Sequence, residues 1–379
     1  MRALLLAIVI ECALLRGCSA ETRQSGMMQP TTLSQQAFSS LLGGQHNRFG
    51  SPGPWVAAMR KATSIGAFTP PPNATLPFEA LIVFPCASSA CTSVARNPND
   101  SSGRWPVLAF GIGYQSWPQR YDETLHHLAS HGFIIVAPDA VDRMPVPRIW
   151  EYAQVVVLSL AWLGEQSANP GSFLASRVDI NRCGAFGHSM GAGTALVVSA
   201  LSSNVPWARS LGTGALAPGE WTWGPATLLF SRPFASVWPR VRAVMTLGLV
   251  PVTAPITALQ HNNAPTFFLA AEADRFAPPA RQKELFASVR ASPRMMAVLR
   301  AGTHCWLDAD ESGYPVSQCG QARAQRNLLL PETQLFASRK LLVAYFLAVL
   351  CQDGEAQAFI SVDRLRRDNS FSEVLSETR

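Results

Sequence analysis

Beyond residue 72 the chain alternates between two patterns. Short unbroken apolar runs occur at Ala80–Phe84, Val107–Phe110, Phe133–Val136, Cys183–Phe186, Val241–Leu247, Thr266–Ala270 and Met295–Leu299. Between them lie longer stretches, Tyr121–Ser130, Trp150–Glu165, Ala192–Leu201, Ala280–Val289 and Glu332–Leu350, in which apolar residues recur every three or four positions. A short continuous apolar run bounded by turn residues is a strand buried on both faces, while the three-to-four spacing is that of a helix with one buried face. Strands interleaved with helices in this way predict a mostly parallel, doubly wound α/β sheet.

The ends and one long connection depart from that rhythm. Arg2 precedes an apolar run, Ala3–Ile10, which resumes after Glu11 through Leu15 and closes on Cys18-Ser19-Ala20. A basic start, an apolar middle and small residues at the end predict a signal peptide over residues 1–20, cleaved after Ala20, and hence a secreted protein. Leu15-Arg16-Gly17-Cys18 is a poor lipoprotein box because of the arginine, and the run is too short and interrupted to span a bilayer. Residues 21–72 are polar and rich in Gly, Pro, Ser and Gln, and are expected to wrap the domain as an N-terminal arm. The domain itself is expected over 73–352, with 353–379 as a C-terminal tail. Within it, 204–240 is far too long for an ordinary helix-to-strand connection. It carries Trp207, Trp221, Trp223 and Trp238. That aromatic content fits either a lid over the functional cleft or a hydrophobic cluster bracing the domain.

Composition narrows the class further. The formal net charge is +6, but the basic residues are scattered rather than blocked, so no nucleic-acid footprint is expected. No transmembrane span is expected either, and the oligomeric state is not legible. Cysteines at 86, 91, 183, 305, 319 and 351 follow the signal segment. In an exported protein Cys86–Cys91 and Cys305–Cys319 are the expected disulfides, and Cys183 is expected in the core. No cysteine pair has a histidine at zinc-binding spacing, so no metal is expected. Asn73-Ala74-Thr75 and Asn99-Asp100-Ser101 are glycosylation sequons in a eukaryotic host.

The chemistry concentrates in Gly187-His188-Ser189-Met190-Gly191, which closes an apolar strand and opens a helix of small residues. The Gly-x-Ser-x-Gly turn exposes a serine hydroxyl on a tight corner and frees the next amide, here that of Met190, to bind an oxyanion. A serine hydroxyl needs a base and a third group that orients the base. His304, just past the last apolar run, is the expected base. His46, His126, His127, His131, His188 and His261 lack that placement. Asp274, after the Thr266–Ala270 strand, is the expected acid, with Glu272 its nearest competitor and Asp308 and Asp310 more distant ones. The second oxyanion amide is expected from Gly111-Ile112-Gly113-Tyr114, with Tyr114 the choice. Tyr114, Trp117, Phe276 and Trp306 are expected to line an apolar substrate cleft.

With these residues in view, the chain resembles the cutinase-like polyester hydrolases and the related dienelactone hydrolases, chlorophyllases and platelet-activating-factor acetylhydrolases of the α/β-hydrolase superfamily. The resemblance is carried by Gly113-Tyr114, Leu128-Ala129-Ser130-His131-Gly132-Phe133, Asn169-Pro170-Gly171-Ser172, Arg177-Val178-Asp179, the Ser189 pentapeptide, and Asp274-Arg275-Phe276-Ala277-Pro278. It implies an α/β-hydrolase fold, no cofactor, a Ser189–Asp274–His304 triad, and oxyanion amides at Tyr114 and Met190. Two departures stand out: Gly248-Leu249 where the polyester hydrolases carry tryptophan, and Met190 where chlorophyllases carry arginine. The expected activity is hydrolysis of a small-molecule or lipid-like carboxylic ester, of lipase, esterase or cutinase type. The rival is a non-catalytic protein of the same fold that binds a lipid or a partner in the same cleft.

Overall fold

The computed structural model describes residues 47–68, 76–88, 91–114, 116–139, 149–203, 239–251, 256–306, 325 and 327–378. The expected signal segment 1–20, the arm up to residue 46, Asn73, the tryptophans of the 204–240 insertion, Asp308, Asp310 and Cys319 lie outside the described residues.

The strands are β1 (Val56–Phe68), β2 (Leu76–Cys86), β3 (Trp105–Gly111), β4 (Ile134–Asp139), β5 (Val178–His188), β6 (Val241–Leu247), β7 (Thr266–Ala271), β8 (Arg294–Leu299) and β9 (Phe371–Glu377). They form one sheet in the order β1-β2-β4-β3-β5-β6-β7-β8-β9. From β4 to β8 every neighbouring pair is parallel, whereas β1, β2 and β9 pair antiparallel at the two edges. Each expected apolar run falls on one of β2 to β8: Val241–Leu247 matches β6 in full and the runs at β7 and β8 match to within a residue, whereas β2 and β5 begin well before theirs, at Leu76 and Val178. Strands β3 and β7 are buried at every position, as strands covered on both faces must be.

Helices α1 (Asp122–Ser130), α2 (Ile149–Ala168), α3 (Met190–Ser203), α4 (Ile256–His261), α5 (Pro279–Ser288) and α6 (Pro331–Leu350) supply the crossovers, and α7 (Gly354–Phe359) and α8 (Val362–Arg367) follow. Helix α2 packs on α3, and α6 on α1, β5 and β6. Among the described helices α6 is the one long and apolar enough to cross a membrane, but most of it is buried inside the fold. Phe346 of α6 meets Phe133 and Phe186 at ring-centroid distances of 6.2 and 5.9 Å, which locks that helix to the sheet. This mostly parallel sheet with its helices is the α/β-hydrolase fold.

Both chain ends depart from the expected arm and tail. Val56–Phe68, expected within the arm, is the edge strand β1. The stretch expected as a tail, 353–379, contains α7, α8 and the opposite edge strand β9, which ends at Glu377. An edge strand is covered incompletely, so its sequence interleaves polar and charged residues and shows no apolar run. Lys61 of β1 pairs with Glu79 at 2.6 Å, and Glu377 of β9 pairs with the buried Arg294. Cys86 and Cys91 are joined, as expected, across a Cα separation of 6.0 Å. Cys305 is also disulfide-bonded. Cys183 is buried and unbonded, and burial pushes its thiol well above the usual cysteine range, as suits an inert core residue.

Candidate active site

In a parallel sheet the loops that follow the strands gather at one rim, where α/β proteins bind their ligands. Here the loops after β3, β5, β7 and β8 carry the expected site residues.

Ser189 stands between β5 and α3 with φ +57, a left-handed backbone that a side-chain-bearing residue adopts only when its surroundings force it. The force comes from close approach. A Cβ on Gly187 would overlap the Gly191 carbonyl, and one on Gly191 would overlap that of Gly111, so both positions require glycine. The Ser189 amide donates to the Leu247 carbonyl at 3.0 Å, and its own carbonyl accepts from Ala192 at 3.1 Å. Met190 opens α3, so its amide is among the first N–H groups that have no partner within a helix.

Asp274 follows β7 and is buried, with its carboxylate held from both sides. Oδ1 accepts the Phe276 and Ala277 amides at 3.0 and 2.7 Å, and Oδ2 lies 2.7 Å from His304 Nδ1. A carboxylate in that position accepts from an Nδ1–H and leaves Nε2 of His304 as the basic nitrogen. The competing acid is elsewhere: Glu272 is exposed, and its Oε2 accepts the Ala301 amide at 2.7 Å. The loops after β7 and β8 are tied together by the Ala273 amide, which donates to the Gly302 carbonyl at 2.7 Å. The His304 ring lies 4.8 Å, centroid to centroid, from that of His188, the residue before Ser189. The structure thus brings Asp274, His304 and the Ser189 turn to one rim.

The expected cleft residues divide. Tyr114 is 53% exposed and Trp117 and Phe276 are each 40% exposed, unusual values for large apolar side chains. The Phe276 ring lies 5.4 Å from that of His304, and Trp117 stacks under the Arg120 guanidinium at 4.5 Å. Trp306 is a correction. It is 1% exposed, so it does not line an open cleft; its indole nitrogen lies against Gly248, the glycine that also faces Asp274 Oδ2 and His304 Nδ1.

Several residues at the site escaped the sequence reading. Gln334 of α6 is fully buried. Its Oε1 accepts the Thr303 amide at 2.9 Å, and its Nε2 donates to the carbonyls of Thr303 and Cys305, each at 2.8 Å, so it grips the main chain on both sides of His304. A polar residue among the buried positions of an apolar helix was the available signal, one that Ser338 and Lys340 of the same helix share. His188 and Tyr121 are buried as well, and the Tyr121 hydroxyl lies 2.8 Å from His188 Nδ1. Burial, and then the neighbouring His304, hold the His188 imidazole well below the usual histidine range, so it is neutral. Among the described residues no group of three or more His, Cys, Asp or Glu side chains is arranged as metal ligands would be.

Residues 85–216 match the family model described as Chlorophyllase. The matched segment contains the loop at Gly111–Tyr114 and the Ser189 turn and ends before Asp274 and His304. Over that segment the chain is similar to a family of ester hydrolases within the α/β-hydrolase group, whose fold its sheet shares. No curated protein matches it.

Proposed function

We propose that the chain is a secreted serine esterase acting on carboxylic esters with an apolar acyl or alcohol part. The observation that carries this reading is the Asp274–His304 contact of 2.7 Å on the same rim as a left-handed serine in a Gly-x-Ser-x-Gly turn. Ser189 Oγ attacks the ester carbonyl carbon while His304 Nε2 takes the hydroxyl proton, and Asp274 holds the imidazole in the required tautomer. The Tyr114 and Met190 amides donate to the oxyanion that forms. Collapse of the intermediate breaks the carbon–oxygen bond to the alcohol, which leaves with the proton from His304. Water, deprotonated by His304, then attacks the acyl-enzyme and releases the carboxylic acid and the free serine. The exposed rings of Tyr114, Trp117 and Phe276 favour an apolar substrate.

The test is hydrolysis of p-nitrophenyl esters from acetate to palmitate, with covalent labelling by a fluorophosphonate. Chlorophyll joins the panel only because of the matched family's name. The wild-type chain should be labelled and active, and Ser189→Ala should fold but lose both properties. Activity above a few per cent in Ser189→Ala sinks the nucleophile assignment, and an unlabelled, inactive wild type favours a binding protein. Secretion is tested separately by N-terminal sequencing of exported protein, expected to begin at Glu21.

A further inference from the structure

Strands β3 and β5 pair in register up to Phe110 with Phe186 and Gly111 with Gly187, where the backbone ladder ends. The two oxyanion donors lie beyond that point, on separate segments that no ladder hydrogen bond holds together. A side-chain bridge spans them instead. The Gly113 amide donates to the Tyr121 hydroxyl oxygen at 3.1 Å, and the Tyr121 hydroxyl lies 2.8 Å from His188 Nδ1. The hydroxyl oxygen accepts from Gly113, and in the His188 tautomer protonated at Nε2 its hydrogen goes to Nδ1. The amide before Gly113 is held in the same manner: Ile112 donates to the Tyr152 hydroxyl oxygen at 3.1 Å, and that hydroxyl donates to the Pro138 carbonyl at 3.3 Å. Consecutive amides of the loop thus end on buried tyrosines, and the next, that of Tyr114, has no partner among the described residues. His188 Nε2 is also buried without a hydrogen-bond partner. An apolar side chain would fill the space without that cost, so what the imidazole contributes is the hydrogen bond at Nδ1.

We propose that Tyr121 and His188 are positioning residues, a clasp that joins the loop carrying Tyr114 to the turn carrying Ser189 and Met190 and so sets the distance between the two oxyanion donors. The proposal rests on the esterase reading above. Donors aimed at an oxyanion act through their position, and a displacement of about 1 Å costs up to about a hundredfold in rate. The clasp acts on the charged intermediate and not on the neutral substrate, so its loss falls on kcat.

The experiment measures kcat and KM on a p-nitrophenyl ester, together with the inhibition constant of a trifluoromethyl ketone, whose hemiketal adduct carries the oxyanion. Tyr121→Phe should lower kcat about 10- to 100-fold, leave KM within about twofold, and weaken the ketone by the same factor as kcat. His188→Leu breaks the same bond from the other side, so the test survives if Tyr121→Phe does not fold. His188→Asn, whose Oδ1 can accept where Nδ1 did, should recover most of the loss. A kcat within about threefold of wild type in both Tyr121→Phe and His188→Leu overturns the clasp, as does a fall in kcat with unchanged ketone affinity. A wild type that neither turns over ester nor is labelled by fluorophosphonate defeats the esterase reading itself. An active wild type beside undiminished variants defeats the clasp alone.

Discussion

Gly248 backs on to the indole nitrogen of Trp306: a Cβ at position 248 would stand 2.6 Å from Nε1, and 3.2 Å from both Asp274 Oδ2 and His304 Nδ1. Its φ is +53, so the backbone as well as the space excludes a side chain. Gly248 lies directly after β6, and its amide donates to the Leu269 carbonyl at 3.0 Å, which fixes it against β7. Gly248→Ala should therefore push the indole or the acid–imidazole pair aside. A fall in kcat of about 10- to 100-fold and a stability loss of about 1–3 kcal/mol are expected. Steady-state kinetics and thermal melting check both. Wild-type kcat in this variant would mean that the contact around the pair is slack.

The acid assignment makes a sharper contrast. Asp274→Asn keeps the shape but replaces the carboxylate that accepts from His304 Nδ1, and with it the tautomer that leaves Nε2 basic. A loss of about 10⁴-fold in kcat is the comparable effect in serine proteases. Glu272→Gln retains an oxygen for the Ala301 amide and should stay within about threefold of wild type, since the exposed carboxylate touches no part of the proposed machinery. The reverse ranking of the two variants would move the acid to Glu272.

Gln334 is expected to matter through the main chain it holds. Gln334→Met keeps the volume but leaves the Thr303 amide and the carbonyls of Thr303 and Cys305 without this partner. Each buried group left unpaired costs about 1–3 kcal/mol, so the melting temperature should fall clearly. The His304 loop should loosen with it, lowering kcat about tenfold at nearly constant KM. A destabilised variant with unchanged kcat would limit Gln334 to a structural role.

What the sequence made legible follows from burial on two faces. Strands β2 to β8 announce themselves as apolar runs because both faces are covered, and the Ser189 turn is readable because close main-chain approach demands its glycines. Asp274 and His304, expected after β7 and β8, lie there in mutual contact. The edges were not legible. Val56–Phe68 and Phe371–Glu377 mix charged and apolar residues because each has only one neighbouring strand. Trp306 was misplaced because nearness to His304 in sequence says nothing about which side of the loop a ring takes. Gln334 and the Tyr121–His188 bridge escaped for a related reason: a long-range hydrogen bond from a buried polar side chain leaves no periodic trace.

Acid stability depends on two histidines far from Ser189 in the chain. His131 Nε2 donates to the Ser51 carbonyl at 3.0 Å, and His127 Nε2 donates to that of Phe49 at 2.8 Å, so two imidazoles of the α1 region hold the segment before β1. Their rings lie 4.9 Å apart. Burial, then the neighbouring His127 and the Arg48 guanidinium, lower His131 to about 4, against the opposing pull of the Ser51 carbonyl. Burial, then Arg339, lowers His127 too, with the Phe49 carbonyl opposing. Both folded values lie below the unfolded value of about 6.5, so the unfolded chain binds these protons first. Their contribution is fully present above about pH 6.5 and is lost as pH falls through the folded values, near 4 for His131. The melting temperature of the wild type should therefore decline between pH 6.5 and 4. His131→Gln, which removes one titrating group, should decline less steeply over the same interval while melting somewhat lower at pH 7 through loss of the Ser51 bond. Parallel melting curves against pH for the two proteins would show that His131 does not titrate differently on folding.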